Sequence, residues 1–279
     1  MAEWQEQPKI VLHWLNKSRA QRIVWLLQES KGLNWDIKTY NRGSDQLAPA
    51  ELKKIHPLGK SPVITVETSK TPQPIVLAET GLITEYVCDY FAPHLVPKRY
   101  QEGKEGQIGG ETEEWIRNRF FMHYAEGSLM GLLLICLIID REPLPTLASH
   151  NSESILTDTM TEIGDNPQTP FFIKPITRAI ASRVYAAFLT QSLKTHFTFL
   201  ESQLATSPNN GRFLCGSELT AADIIMSFPL LSAVRVAKKI TKVDYPKLVA
   251  YCDLLESQQS YKAAVKRTEE VSGEPYKIL

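Results

Sequence analysis

The run KIVLHWL, residues 9–15, is short, apolar and partly β-branched, the pattern of a strand buried on both faces. The period then changes. From Ser18 the apolar positions Ala20, Ile23, Val24 and Leu27 recur at helical spacing, and Gly32 stands where that helix would stop. NWDIKTY, residues 34–40, returns to period two, with Trp35, Ile37 and Thr39 set against Asp36 and Lys38. Strand, helix and strand within roughly thirty residues predict a βαβ unit with parallel strands.

PAELKKI is a short helical candidate, and residues 63–67 form a strand entered through Pro62. A turn at TSKTPQ and the short run PIVLA complete a hairpin. ETGLITEYVCDYF pairs its apolar residues at Leu82/Ile83, Tyr86/Val87 and Tyr90/Phe91, an amphipathic helix. The order is βαβαββα, a small α/β unit over residues 1–92 with parallel and antiparallel strands in one sheet.

Beyond Phe91 the pattern gives way to APHLVPKRYQEGKEGQIGG, rich in Pro, Gly and charge, which reads as a linker over 93–110 with a loose tip. An all-helical domain is expected over 111–279, with helical patterns at 111–139, 174–204, 220–238 and 246–266 and no internal repeat of fixed period. A polar insertion interrupts it near 140–173, and loops of that length are uncommon unless they are functional or mobile. LTAADII places Thr220 at an N-cap with Asp223 at N3, a capping box, and Leu219 with Ile224 as its hydrophobic staple. Since the helix that follows is nearly all apolar, Thr220 and Asp223 read as structural and the helix as the core of its domain.

Composition narrows the function. Hydrophobic residues make up 43% and charged residues 22% of 279, ordinary for a globular protein. Lys+Arg and Asp+Glu are 31 each, so no net field concentrates polyanions and nucleic-acid binding is not expected. The cysteines, Cys88, Cys136, Cys215 and Cys252, form no C-x-x-C pair and stand near no His cluster, so no metal site is expected. Scattered cysteines suit a reducing compartment, and MAEWQEQPK has no basic-then-apolar signal pattern. The longest apolar run, residues 129–139, is 11 residues; a membrane span needs about 20, so a buried helix is expected.

The pieces LNKSRAQRIVWLLQESKGLNWD, HPLGKSPVI, LAETGLITEYV and LTAAD together resemble the cytosolic glutathione transferases, over nearly the whole chain. HWLNKSRAQRIVWLL, ELKKIHPLGKSP, HYAEGSLM and PFFIKPITR are most similar to the yeast-type fungal group, which includes membrane-associated members. The resemblance implies a thioredoxin-like N-terminal domain, an all-helical second domain and a homodimer. It implies glutathione as co-substrate with no other cofactor, and a small hydrophobic electrophile as the second substrate. Conjugation and hydroperoxide reduction are both within its range. A cytoplasmic location is expected, and the short apolar run permits peripheral contact with an internal membrane.

The resemblance also assigns residues. Pro62 would be cis, and Val63 would pair its backbone with the cysteinyl part of glutathione. Glu79 and Thr80 open a helix, where free N–H groups and the positive dipole end favour a carboxylate. Thr80 would hold the γ-glutamyl carboxylate and Glu79 the ammonium group, although relatives usually carry Ser at 80. Lys60 would pair with the glycyl carboxylate or stay solvated. His56, where many relatives carry Asn, reads as a structural histidine holding its loop.

Two residues compete for the sulfur. Ser18-Arg19-Ala20-Gln21 fits a capping box, yet Ser18 also stands fourteen residues before Gly32, as in serine-using relatives. Asn16 is the rival donor through its amide. A thiol near ~8.5 is mostly protonated at neutral pH, and a donated hydrogen bond would favour the nucleophilic thiolate. Arg19 and Arg22 could shape the same edge, although solvated arginines are the default. The electrophile pocket would lie between the domains, with Tyr124 in NRFFMHYAEGSLM as a candidate lining residue or simply core. Two rival readings stay open. Thiol–disulfide exchange needs a cysteine at the start of the first helix, which this chain lacks. A glutathione-binding module without catalysis would not activate the thiol.

Overall fold

The computed structural model describes residues 7–44, 46–140 and 185–278. Its N-terminal unit runs β1 (Lys9–Leu15), α1 (Gln21–Glu29), β2 (Asn34–Tyr40), α2 (Leu52–Ile55), β3 (Val63–Glu67), β4 (Ile75–Ala78) and α3 (Thr80–Tyr90). The sheet order is β2-β1-β3-β4, with β1 parallel to β2 and the other two pairings antiparallel. This is the expected βαβαββα unit with a thioredoxin-like arrangement. Ile10, Leu12 and Trp14 of β1 point into the main core with Ile23, Val24 and Leu27 of α1. Leu15 of β1 turns to the opposite face with Tyr40 and Leu52, which is why the strand reads apolar throughout.

Ser18 does not cap α1. The helix begins at Gln21, and Ala20, already helical at φ −64, occupies the cap position with no side-chain cap. Lys17 takes a left-handed conformation (φ 49), so residues 16–20 form a tight turn that places Ser18 two residues before the cap position. Gln21 does not reach back either: its Oε1 accepts from Thr268 Oγ1 at 2.9 Å.

The 93–110 connection is not a loose tip. After a 3₁₀ turn at Pro93–Leu95, Lys104, Gln107 and Gly110 each donate a backbone N–H to the carbonyl three residues earlier. The triplets QEG, KEG and QIG thus build three successive turns, with Gly103, Gly106 and Gly109 at positive φ. This three-residue repeat escapes a search for longer periods. The Arg99 guanidinium lies over both Tyr100 and Trp115, at 4.8 Å from each ring.

The helical domain contains α4 (Glu113–Tyr124), α5 (Gly131–Asp140), α6 (Gln191–Ala205), α7 (Ala221–Leu231), α8 (Pro246–Ser257) and α9 (Gln259–Ser272) among the described residues. The expected insertion near 140–173 lies almost wholly outside them. Three expected helices are not uniform: residues 125–130 between α4 and α5, 185–190 before α6, and 232–236 after α7 are π-helical. The single pattern at 246–266 is two helices, because Gln258 (φ −59, ψ 135) is extended and breaks the ladder, and α9 then runs on to Ser272.

The capping box at α7 is present and forms a larger hub. Asp223, fully buried, accepts from Thr220 N (2.8 Å), Thr220 Oγ1 (2.6 Å), Leu214 N (3.0 Å) and the Tyr251 hydroxyl (2.6 Å). Burial pushes its carboxyl up, against four hydrogen bonds that pull it down. α7, buried along its whole length, and α9 both pack on α1. Trp25 Nε1 donates to Ser260 Oγ at 2.9 Å, and Arg267 of α9 stacks 3.6 Å over Trp35 while donating to its carbonyl at 2.7 Å. The last helix thereby covers the edge strand β2. No helix among the described residues is long and apolar enough to cross a membrane.

Candidate active site

The ends of β1 and β3 and the start of α3 surround the N-terminal end of α1, where the sequence-predicted residues cluster. Ser61–Pro62 is a cis peptide, as the resemblance implies. Val63 follows at once, in register with His13 on one side and Ala78 on the other. Past Val63 the ladder to β1 is continued by a side chain: Ser61 Oγ donates to His13 O at 2.8 Å and accepts from Leu15 N at 3.2 Å. The loop before it is held by His56, whose carbonyl accepts from Gly59 N at 2.8 Å and whose Nδ1 accepts from Leu58 N at 3.4 Å. That matches the structural role expected of His56. Lys60 is exposed beside them.

Glu79 is the cap residue of α3 and lies at φ 71, ψ 123, a conformation that costs a non-glycine residue about 1–3 kcal/mol and collects at ligand sites. It is exposed, whereas Thr80 is 5% exposed and opens the helix. The first N–H groups of α3 are therefore presented beside an acid and a hydroxyl.

The two candidates for the sulfur are in different states. The Ser18 hydroxyl donates to Leu15 O at 2.6 Å and accepts from Ala20 N at 3.2 Å, so its single hydrogen is occupied within its own turn. Asn16 Oδ1 accepts from Arg42 N at 2.9 Å, and its backbone N–H donates to Tyr40 O at 3.1 Å. A backbone donor fixes which end of an amide is oxygen. The Asn16 amide nitrogen therefore faces away from Arg42, with both hydrogens lacking an acceptor among the described residues.

The arginines overturn the default. Arg22 is 1% exposed: Nη1 donates to Ile225 O of α7 at 2.8 Å, Nη2 to Thr80 Oγ1 at 3.4 Å, and Nε to Arg19 O at 3.5 Å. Glu126, in the π-helical stretch after α4, accepts from Arg22 Nη2 with one carboxylate oxygen and from Arg19 Nη1 with the other. Burial pulls the Arg22 guanidinium down, and Glu126 holds it up. Burial pushes the Glu126 carboxyl up, but Arg22 and Arg19 outweigh it and hold it below the usual carboxylate range. Glu126 is the residue that sequence reasoning missed. The available signal was one acid between Tyr124 and a long apolar run, a charge that a buried helix would not carry unpaired.

Tyr124 is 7% exposed and packs inside the helical domain. Its hydroxyl meets His196 Nδ1 at 2.5 Å, and its ring lies 5.7 Å from Phe199 and 5.3 Å from the half-exposed Phe120. The core alternative describes it better than free pocket lining, and burial raises its phenol well above the usual range. All four cysteines are buried, and none is at the start of α1.

Residues 8–89 match the family model for the glutathione S-transferase N-terminal domain, and residues 172–266 match the model for its C-terminal domain. Glutathione S-transferase 1 of Saccharomyces cerevisiae is 32% identical over 260 residues, covering 93% of this chain and 95% of that protein. Among solved structures, a glutathione S-transferase from Actinobacillus pleuropneumoniae superposes with a TM-score of 0.62 at 24% identity, covering 93% of each chain. A glutathione transferase from Phanerochaete chrysosporium, solved with oxidized glutathione, gives 0.60 at 14% identity and covers 98% of this chain and 100% of its own.

Proposed function

The chain belongs to the glutathione S-transferase family, and from that premise we propose that it activates the glutathione thiol through the Asn16 amide. It is a glutathione transferase. The thiolate attacks an electrophilic carbon, the new C–S bond forms, and the leaving group departs with its electron pair, or the attacked double bond takes up a proton. With a hydroperoxide the same thiolate attacks the terminal oxygen, an S–O bond forms as the O–O bond breaks, and the alkoxide leaves and takes up a proton. A second glutathione thiol then attacks the resulting sulfenic acid to give the disulfide and water.

The observation that carries the assignment is the contrast between two neighbours. Ser18 has already spent its hydrogen on Leu15 O, whereas Asn16 is locked through its oxygen and its two amide hydrogens have no acceptor among the described residues. A donor fixed before the ligand arrives loses little orientational freedom when it binds a thiolate. In this reading the chain at cis-Pro62, held by Val63 within the sheet, meets the cysteinyl unit, Glu79 and Thr80 take the γ-glutamyl ammonium and carboxylate, and Lys60 reaches the glycyl carboxylate. Arg42, Tyr40 and Leu15 act by holding the two candidates in place.

A homodimer belongs to the same reading. Arg119 of α4 pairs with Glu85 of α3 at 2.6 Å, and the two helices expose Leu82, Tyr90, Ile116 and Phe120, apolar area that supports burial against a second copy. The electrophile is small and hydrophobic, received beside the aromatic cluster at Phe120. Four buried thiols suit a reducing, cytoplasmic location, with peripheral contact at an internal membrane as the finer expectation. The test is conjugation of glutathione to an aryl halide by wild type, Asn16→Ala and Ser18→Ala. Asn16→Ala is expected to lose about tenfold or more in rate, one hydrogen bond to a charged atom, with Ser18→Ala within about twofold. Equal rates for wild type and Asn16→Ala would refute the assignment.

A further inference from the structure

We propose that Glu126 is a positioning residue for the γ-glutamyl end of glutathione, acting through Arg22 on the Thr80 hydroxyl. The inference rests on the reading above that Thr80 meets that carboxylate. Glu126 belongs to the helical domain and Thr80 to the sheet domain, and Arg22 is the side chain that touches both.

The direction of the Thr80 hydroxyl hydrogen decides what that side chain can bind. A threonine hydroxyl can donate once, and at the start of a helix it has local acceptors available. At Thr80 the oxygen already receives an N–H from Arg22 Nη2 at 3.4 Å. Its own hydrogen must therefore point elsewhere, and no acceptor for it is recorded among the described residues. A carboxylate bound at the α3 N-terminus is an acceptor of the right charge. Arg22 keeps that orientation only while it is itself held. Its Nη1 is anchored on Ile225 O and its plane lies 5.5 Å from the Phe228 ring centroid, but the hydrogen-bond partner that neutralises it is Glu126. The second Glu126 oxygen takes Arg19, so one carboxylate faces two guanidinium groups, Arg22 of α1 and Arg19 of the turn before it.

With that carboxylate gone, Arg22 cannot shed its proton and must seek other acceptors, so the Thr80 hydroxyl loses its fixed direction. The effect should be selective for ligands that carry the γ-glutamyl carboxylate. A general loosening of the domain contact would weaken every ligand alike.

The experiment compares two ligands on the full chain, glutathione and the analogue in which the γ-glutamyl α-carboxylate is replaced by hydrogen. Wild type should prefer glutathione. In Glu126→Gln, KM and Kd for glutathione should rise about tenfold, the loss of roughly one charge-assisted hydrogen bond, with kcat at saturation nearly kept. The analogue should bind both proteins within about twofold, because the lost interaction is one it never made. Glu126→Asp, which keeps the charge at shorter reach, should lose about threefold on glutathione only, a smaller share of the same hydrogen bond. An unchanged preference in Glu126→Gln, or an equal loss for both ligands, overturns the proposal. Should Glu126→Gln not fold, the ligand preference of Glu126→Asp decides alone: shifted supports the relay, unshifted overturns it. A wild type without preference for glutathione would instead sink the assignment of Thr80, and the relay with it.

Discussion

Acidification from pH 7.5 to 5 should destabilise this protein through His13, on the strand that borders the site. His13 is 4% exposed. Its Nδ1 meets the Tyr40 hydroxyl at 2.9 Å and its Nε2 meets Thr65 Oγ1 at 3.4 Å, while Lys38 is the charged neighbour on β2. Burial, and then Lys38, lower its pKa from 6.5 to about 4. The folded state therefore binds the proton less readily than the unfolded chain. Stability is fully present above the unfolded pKa, falls as pH drops through 6.5, and stops falling below about 4. A gap from 6.5 to about 4 at 1.36 kcal/mol per unit gives about 3 kcal/mol in full, of which about 2 kcal/mol is lost by pH 5. The assay is urea unfolding of wild type and His13→Gln at both pH values. The variant should start about 1–2 kcal/mol less stable, a typical cost for a buried polar replacement, and show about 2 kcal/mol less acid loss than wild type. An identical loss in the two proteins would refute the reasoning.

Two further outcomes follow from buried groups. Asp223→Ala leaves Leu214 N, Thr220 N, the Thr220 hydroxyl and the Tyr251 hydroxyl without their shared acceptor. At about 1–3 kcal/mol for each of these donors that water cannot reach, a loss of about 4 kcal/mol or more in urea unfolding is expected, and under 1 kcal/mol would contradict the hub. Burial pushes the Cys88 and Cys252 thiols up to about 12, and Cys136 and Cys215 are equally enclosed. A disulfide reagent should therefore label the native protein slowly and all four cysteines quickly in urea, and a fast thiol in the native protein would reopen thiol–disulfide exchange.

Local patterns carried most of the sheet domain. β1, β2 and β3 follow their apolar runs because each is a short strand whose period is set by its own side chains. The Thr220–Asp223 box was legible for the same reason, as donor and acceptor are three residues apart. What failed depended on partners far along the chain. Ser18 and Gln21 fit a capping box locally, yet a left-handed Lys17 and a distant Thr268 drew them elsewhere. The Arg22–Glu126 pair spans 104 residues and two domains, and no helical period reveals it. The break at Gln258 sits in a sequence with no Gly or Pro to mark it.

The central claim is that glutathione is activated by the amide of Asn16 and not by the hydroxyl of Ser18. The most direct test titrates the thiolate absorbance of bound glutathione in wild type, Asn16→Ala and Ser18→Ala. Wild type and Ser18→Ala should hold the bound thiol about one to two pH units below the free value near ~8.5, and Asn16→Ala should return it toward the free value. A thiol that stays acidic in Asn16→Ala but reverts in Ser18→Ala would contradict the claim.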